Sequence, residues 1–176
     1  MEPSRKELLK ERMEYVLPDV LERDLDIVFC GTAAGKRSAQ RQAYYAGPGN
    51  AFWCTLFKVG LTPHLFQPEE FSQLLTLRMG LTDLVKHSAG NDVDLPRDGF
   101  DCDSLKEKIL KYRPKILAFT SKRAAHVFVG YKVDYGQLQE KEGDCLLFVL
   151  PSPSGAARRY WNEKPWKELA ELRRRA

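Results

Sequence analysis

Three short apolar runs constrain the fold of this chain more than any other feature of its sequence. They cover residues 26–30, 115–120 and 145–150, and each is followed by Gly, Ser or Pro. Runs of this length without polar alternation are typical of strands buried on both faces of a sheet. Helical spacing is present over residues 51–59, 103–112, 121–129 and 161–173. Strands and helices therefore alternate, which predicts a three-layer α/β/α sandwich with a mostly parallel central sheet.

The size of the chain favours a single domain over residues 1–176. Its content of 43% hydrophobic and 30% charged residues is too apolar for a disordered chain. Val133 and Tyr135 are expected to form one more short strand. The net charge of +4 permits a polyanionic partner without requiring one.

The spacing of cysteines and histidines predicts no metal site. The four cysteines lie far apart, two of them within apolar runs, and we expect all four to be reduced and buried. No histidine is spaced to complete a zinc or iron–sulfur site with them. We therefore expect no metal and no other cofactor. The four cysteines are Cys30, Cys54, Cys102 and Cys145.

The beginning of the sequence is charged and lacks the apolar core of a secretory signal. No apolar run approaches the roughly 20 residues that span a bilayer. We therefore expect an intracellular protein with no membrane partner, located in the cytoplasm or, in a bacterium, associated with the nucleoid.

Ligands of an open parallel sheet bind beyond the carboxyl ends of its strands, which directs attention to the segments just after Cys30, Thr120 and Leu150. Two of these segments, 31–35 and 151–159, are chemically unusual. Residues 31–35, Gly-Thr-Ala-Ala-Gly, are predicted to form a small-residue turn. Such a turn is either a tight connection or a place where backbone N–H groups approach an anion or a base edge. Lys36, Arg37 and Ser38 follow it, and add groups that bind phosphate.

Several blocks in order carry a resemblance to a known family. After the small-residue turn come Ser38-Ala39 and the run Tyr-Tyr-Ala-Gly-Pro-Gly-Asn-Ala-Phe-Trp at 44–53. This order resembles the mismatch-specific uracil-DNA and thymine-DNA glycosylase family. The similarity extends from about residue 26 to 161, through Gly-Leu-Thr-Asp-Leu-Val at 80–85, Tyr-Arg-Pro-Lys-Ile at 112–116 and Leu-Pro-Ser at 150–152.

The resemblance implies the uracil-DNA glycosylase fold and a monomeric enzyme of base excision repair. Such an enzyme flips a deaminated base out of double-stranded DNA and hydrolyses its N-glycosidic bond. Uracil is the expected base, notably opposite guanine, and thymine is a further candidate if Ala46 leaves room for its methyl group. No lysine is placed for a Schiff base, so we expect hydrolysis without strand cleavage.

The resemblance also implies a base-binding set. Tyr45 is expected to stack on the flipped base, while Tyr44 or Tyr45 packs on the core. Asn50 either caps the helix that follows it or contacts the substrate. The backbone N–H groups of residues 32–35 are expected to stabilise the charge that develops on the leaving base. The predicted base-binding residues are Thr32, Ala33, Gly35, Tyr45 and Asn50.

The first motif departs from the family at Ala33, where relatives usually carry an asparagine that positions the attacking water. A methyl group cannot orient water, so another side chain must do so if the chain is active. Asp83 is the predicted catalytic residue, because a carboxylate can accept a proton from water and stabilise an oxocarbenium-like sugar. In a compatible structural interpretation, Thr82 caps a helix and Asp83 lies in its first turn.

The segment 151–159 resembles the loop that enters the minor groove and fills the gap left by the flipped base. Its small residues make a poor wedge, so Arg158 or Arg159 is expected to fill the gap. The alternative is an ordinary loop before the last helix. Arg78, Lys86 and Lys122 are expected to add attraction for the DNA backbone. The predicted DNA-binding residues are Lys36, Arg37, Ser38, Ser152, Ser154, Gly155, Ala156, Arg158 and Arg159.

Two other functions compete with the glycosylase. A non-catalytic, mismatch-sensing DNA-binding module would explain Ala33 in place of asparagine. A nucleotide-binding protein could use residues 31–35 as a phosphate loop, but the GxxxxGK[ST] pattern is absent.

Overall fold

A computed structural model describes residues 4–6 and 15–176 and contains a five-stranded sheet with helices on both faces. The strand order is β2-β1-β3-β5-β4, and all neighbouring pairs are parallel except β4 with β5. The predicted three-layer architecture is confirmed. The strands are β1 (Ile27–Ala34), β2 (Met79–Ala89), β3 (Ile116–Phe119), β4 (Gly136–Glu142) and β5 (Cys145–Val149).

The four predicted helices begin and end within a few residues of their predicted bounds, whereas the helix Lys36–Arg41 was not predicted. Asp101 and Ser121 lie at the N-termini of the helices Cys102–Tyr112 and Lys122–Val129, where their side-chain oxygens accept backbone N–H groups of the first turn. The 3-10 helices are Pro68–Leu77, Asp92–Asp94, Arg97–Gly99 and Gly155–Tyr160. The α-helices discussed below are α1 (Lys36–Arg41), α2 (Phe52–Lys58), α3 (Cys102–Tyr112), α4 (Lys122–Val129) and α5 (Lys164–Arg175).

Two hydrophobic layers explain why the predicted strands lack polar alternation. Phe29 on β1 packs with Phe52 of α2 and Trp166 of α5 on one face of the sheet. Val28, its neighbour in the strand, packs with Leu105 of α3 on the other face. Successive side chains of a strand point to opposite faces, so a strand covered on both sides must be apolar throughout.

Strand β2 corrects the predicted helix start at Thr82 and Asp83. Residues 79–86 are buried, and β2 pairs in parallel with β1 from Ile27↔Met79 to Ala33↔Val85. Polar side chains inside this strand interrupt its apolar pattern, which is why the sequence did not indicate a buried strand. Here the tertiary pairing overrides the local pattern.

Residues 16–20 cover the outer edge of β2. The Val16 N–H donates to the Lys86 carbonyl, and Val20 and Leu81 exchange two backbone hydrogen bonds. This covering satisfies the edge of the sheet and excludes water from it. It also brings Asp19 against the polar side chains of β2.

Three smaller predictions are corrected. The short strand expected at Val133 and Tyr135 begins after them, at Gly136. Residues 31–34 belong to β1 rather than to a turn. Two of the cysteines are buried as expected, but Cys102 is half-buried and Cys54 is exposed, and all four are free.

None of the helices within residues 4–6 and 15–176 has the length and apolar character needed to cross a membrane.

Gly80 allows residues 16–20 to approach β2. A β-carbon at this position would overlap the Val20 carbonyl oxygen and lie 2.8 Å from Leu25 Cδ1. We expect Gly80→Ala to lower the free energy of unfolding by about 1–3 kcal/mol, since backbone must shift to accept the methyl group. Gly47→Ala is the matched control, because a β-carbon at Gly47 meets no atom within 4 Å. Urea denaturation of both variants measures the difference, and equal stability would contradict it.

Candidate active site at the carboxyl edge of the sheet

Strand β1 extends past β3 and opens one side of its carboxyl end. The two strands pair only as far as Cys30↔Phe119, and the Thr120 N–H donates to the Cys30 carbonyl. Beyond this point, residues 31–34 have β2 as their only neighbouring strand in the described part of the chain. Because successive backbone groups of a strand point to opposite sides, some of those in 31–34 face the side that β3 does not reach, and we call this place the opening of the sheet. The opening lies where parallel sheets bind their ligands.

Three polar side chains converge on Gly31. A β-carbon at Gly31 would lie 2.7 Å from Asp83 Oδ1 and 3.4 Å from both Thr120 Oγ1 and Tyr45 Oη. The Tyr45 and Thr120 hydroxyls are hydrogen-bonded to each other at 3.0 Å. The register brings Asp83 here, since it is the β2 partner of Gly31. Thr120 is a member that the sequence did not predict, although it ends an apolar run at the correct edge.

Asp83 is a buried carboxyl with a strongly altered acidity. Its pKa is raised from 3.8 to about 7, chiefly because burial disfavours the charged form. The negative charge of Asp19 acts in the same direction, whereas Lys86 and Lys108 oppose it. A backbone hydrogen bond from Gly31 also favours the ionised form. A carboxyl with this pKa exchanges protons near neutral pH, as a general base or acid must.

Tyr45 is held in an unusual backbone conformation. Its φ of +53° lies in the left-handed region, which is uncommon for an aromatic residue. Its ring stacks on Phe52 with 3.9 Å between centroids. Tyr44 is 2% exposed and belongs to the hydrophobic core. The prediction that one of the two tyrosines packs on the core is therefore confirmed for Tyr44.

Asn50 lies where the Gly-Pro-Gly loop at 47–49 leads into α2. Its Oδ1 accepts the Phe52 N–H at 2.9 Å, so the side chain supports the first turn of α2. The neighbouring Ala51 N–H donates to the Pro153 carbonyl at 2.8 Å. Asn50 thus supports the start of the helix, which is one of its two predicted roles. Among the described residues, its amide N–H groups have no hydrogen-bond partner that would prevent contact with a ligand. Substrate contact by Asn50 stays a prediction.

The first motif, residues 31–35, comprises the last residues of β1 and the residue that connects β1 to α1. Thr32 Oγ1 donates to Asp92 Oδ1 at 2.7 Å, in the segment that follows β2. Ala33 pairs with Val85, and Gly35 is exposed where α1 begins. Asp92 is a partner that sequence reasoning missed, because 60 residues separate it from Thr32.

The predicted wedge segment packs on the Gly-Pro-Gly loop at 47–49. A β-carbon at Gly155 would lie 3.0 Å from the Pro48 carbonyl oxygen. The guanidinium group of Arg158 lies over Gly49, 2.6 Å from the position of a β-carbon there. The two loops therefore form one surface beside the opening of the sheet.

The exposed side chains of this segment include two arginines and a tyrosine. Arg158 and Arg159 are exposed, and Arg159 lies 5.3 Å from the centre of the Tyr160 ring. Tyr160 is 64% exposed and was not predicted as a site residue. Ala156 is exposed, and its N–H donates to Ser154 Oγ.

The two serines of the segment have local hydrogen bonds. Ser152 Oγ accepts the Ser154 N–H at 3.3 Å, and Ser154 Oγ accepts the Ala156 N–H at 3.3 Å. Both hydroxyls therefore support the turn, and their predicted contact with phosphate stays a prediction.

The other predicted DNA contacts divide by position. Lys36 and Arg37 are exposed on α1. Ser38 is buried, and its Oγ accepts the Ala46 N–H at 3.0 Å, so its position favours a structural role. Lys122 is the first residue of α4, at the carboxyl edge.

Two predicted backbone contacts are corrected. Lys86 is buried and paired with Asp19, so it does not face a DNA backbone. Arg78 precedes β2 and binds Asp26, at the opposite end of the sheet from the site. Both errors have one cause, since sequence alone does not tell a surface cation from one that pairs inside the protein.

No group of three or more histidine, cysteine, aspartate or glutamate side chains in residues 4–6 and 15–176 is arranged to hold a metal ion. The site described above consists of a carboxyl, two hydroxyls and backbone groups. Its chemistry is that of hydrogen bonding and proton transfer.

The fold and the site together define an α/β/α protein with a cluster of polar side chains beyond the carboxyl ends of β1 and β3. The sequence model of the uracil DNA glycosylase superfamily matches residues 18–173, and the chain belongs to that superfamily. A solution NMR structure of a protein from Methanosarcina acetivorans, described as a candidate uracil DNA glycosylase, is similar. Its sequence is 25% identical, the TM-score is 0.58, and the match covers 90% of this chain and 95% of that one. Family membership supports a DNA glycosylase role and binding to DNA.

Burial of Asp83 has a measurable effect on stability. The raised pKa means that the folded state binds the proton more tightly than the unfolded state, in which the pKa is near 3.8. The stabilisation is complete below pH 4 and is lost as the pH rises to about 7. At 1.36 kcal/mol per pKa unit, the loss is at most about 4 kcal/mol.

We expect Asp83→Asn, which cannot ionise, to become increasingly more stable than wild type between pH 4 and pH 7. The gain should reach about 1–4 kcal/mol and stay constant above pH 7. Urea denaturation at several pH values measures it. Asp98→Asn, on an exposed residue, is the control and should stay within about 0.5 kcal/mol of wild type. A stability difference independent of pH would contradict the expected ionisation of Asp83.

Proposed function

We propose that this protein is a monofunctional DNA glycosylase that flips uracil out of double-stranded DNA and hydrolyses its N-glycosidic bond. The observation that carries the proposal is the buried carboxyl of Asp83 beside Gly31, Thr120 and Tyr45 at the open edge of the sheet. Membership in the uracil DNA glycosylase superfamily supports the same class of reaction.

In the proposed complex, the flipped base stacks on Tyr45. One face of the Tyr45 ring is occupied by Phe52, so the opposite face is the one available to a base. The hydrogen bond from or to Thr120 fixes the plane of the ring. Stacking on a fixed aromatic ring contributes roughly 1–3 kcal/mol and tolerates any base. Selection among bases then requires polar contacts at the base edge.

Such polar contacts are proposed for the first motif and for Asn50. Backbone N–H groups of residues 32–35 are directed at the base and stabilise the negative charge that it acquires on leaving. The Asn50 amide can donate to a carbonyl oxygen of the base, because its Oδ1 already accepts the Phe52 N–H. Ala33 contributes space here and takes no part in water activation.

Asp83 performs the chemical role in this proposal. Its carboxylate accepts a proton from water while the water oxygen bonds to C1′ of the nucleotide. The bond from C1′ to the base nitrogen breaks, and its electron pair leaves with the base. Until Asp83 has taken up this proton, its negative charge stabilises the oxocarbenium character of the sugar. Because its pKa is about 7, the ionised fraction and the rate should rise between pH 6 and pH 8.

DNA binding is proposed for the surface beside this opening. Lys36 and Arg37 on α1 supply charge for the phosphates, and Arg158 or Arg159 fills the gap left by the flipped base. Uracil opposite guanine is the proposed natural substrate. Removal of thymine from the same mismatch requires space for the methyl group near Ala46.

The catalytic role of Asp83 is tested by base release. Labelled duplexes containing uracil opposite guanine are incubated with excess enzyme and then treated with alkali, which cleaves abasic sites. We expect Asp83→Asn to lower the single-turnover rate by about 10²–10⁴, the usual contribution of a general base. Asp98→Asn should retain the wild-type rate. Undiminished activity of Asp83→Asn would assign catalysis to another group.

The role of Tyr45 is tested by removing its ring and then its hydroxyl. We expect Tyr45→Ala to lower the rate at subsaturating enzyme roughly 10–100-fold, as the loss of one stacked base requires. Tyr45→Phe keeps the ring and should stay within several-fold of wild type. An equal loss in Tyr45→Phe and Tyr45→Ala would mean that the hydroxyl, not the ring, carries the effect.

A non-catalytic, mismatch-sensing module is the second candidate, favoured by Ala33 at the position where relatives carry asparagine. The same duplexes separate the two functions. Tight binding to the mismatched duplex without any abasic product after long incubation would support the sensing module and overturn the hydrolase.

A further inference from the structure

We propose that Lys86 is a positioning residue that favours the ionised form of Asp83, through the buried cluster of ion pairs that it shares with Asp19 and Lys108. The proposal rests on the proposed function of Asp83 and adds a residue to it. Lys86 would not touch the substrate. It would act by placing a positive charge behind the carboxylate.

Asp19 is the centre of the cluster. Its Oδ1 lies 2.9 Å from the Lys86 ammonium nitrogen, and its Oδ2 lies 2.8 Å from that of Lys108. The Thr82 hydroxyl donates to the same carboxylate at 2.7 Å. The exposed fraction of the Lys86 side chain is 5%, and those of Asp19 and Lys108 are 17% each. These ion pairs are therefore largely shielded from water.

The charges of these three residues do not balance. Two ammonium groups share one carboxylate, which leaves one positive charge inside the protein. A buried charge is costly unless an opposite charge lies near it. Asp83 is the carboxyl next to this cluster along β2, because it lies between Thr82, which binds Asp19, and Lys86. When Asp83 is ionised, the charges of the four residues sum to zero.

Electrostatic effects within the cluster agree with this balance. Burial acts to raise the pKa of Asp19, but the two lysines and Thr82 outweigh it and lower that pKa. Burial opposes the charge of Lys108, yet Asp19 outweighs it and raises the pKa of the ammonium group. Both lysines act on Asp83 to lower its pKa, against its burial and against Asp19.

The other titratable groups that face Asp83 remain neutral. Burial is the largest cause of a pKa well above the ordinary value for Cys30 on β1, and for Tyr44 and Tyr45 after α1. The negative charge of Asp83 raises all three further. These groups therefore supply no charge that could replace the lysines.

Lys86 is also in contact with the segment that carries the base-stacking ring. Its ammonium group donates to the Tyr44 hydroxyl at 3.1 Å, and that hydroxyl donates to the Pro18 carbonyl at 2.9 Å. Tyr44 is followed by Tyr45 with its left-handed backbone. Loss of Lys86 could thus act through packing as well as through charge, and the experiment must separate the two effects.

The experiment compares Lys86→Met and Lys108→Met with Lys86→Arg, which keeps the charge. Lys111→Met, on an exposed residue of the same helix as Lys108, controls for the loss of one surface charge. The first readout is the pH dependence of the single-turnover rate on the duplex with uracil opposite guanine. The second is the titration of the Asp83 carboxyl carbon in the free protein, followed by 13C NMR and assigned with Asp83→Asn.

We expect the pKa of Asp83 to rise by about one unit in Lys86→Met and in Lys108→Met, as for removal of one nearby opposite charge. The rate at pH 7 should then fall about fivefold, while the rate at pH 9 stays near that of wild type. Lys86→Arg and Lys111→Met should titrate like wild type. If Lys86→Met does not fold, Lys108→Met carries the same test.

An unchanged Asp83 titration in both methionine variants overturns the inference. A rate loss of equal size at every pH does so too, because it indicates packing alone. A different result would contradict the proposed function, namely that the wild-type protein releases no base. In that case the NMR titration still decides whether the lysines control the ionisation of Asp83.

Discussion

The parallel register between β1 and β2 is the constraint on which the site depends. It pairs Gly31 with Asp83, so that a carboxyl group lies against a residue that has no side chain. A slip of one residue would turn Asp83 to the other face of the sheet and bring Thr82 in its place. The register is held on one side by β1 and on the other by residues 16–20. The site is thus a consequence of strand pairing rather than of a loop.

Strand β2 combines two demands that oppose each other. The strand is buried between β1 and residues 16–20, which favours apolar side chains. The proposed chemistry, however, requires a carboxylate in it. The polar side chains of β2 are accommodated because Asp19 gives Thr82 and Lys86 a partner inside the protein. Burial of the ionised Asp83 lowers the stability of the protein at the place where the proposed chemistry needs a charge. Such a relation is common at functional sites.

The candidate site is also compatible with Ala33 in the first motif, where the resemblance implies an asparagine. Ala33 lies on the part of β1 that has no second neighbouring strand, and it pairs with Val85 on β2. Asp83 is two residues before Val85, so both residues lie at the same end of the two strands. Under the proposed function, a polar group on β2 therefore acts where the resemblance implies one on β1, without any change in the fold.

The sequence by itself determined the layers of the fold, the helices and most segments of the candidate site. Local periodicity indicates the layers and helices, because apolar runs and helical spacing depend only on neighbouring residues. The segments of the site were indicated by the resemblance to a family. The tertiary structure alone decided that residues 79–89 form a strand, that Lys86 faces Asp19, and that Thr120 joins Tyr45. In each case the polar side chain has its partner far along the chain. Such pairings are set by how strands and covering segments meet, and no local pattern records them.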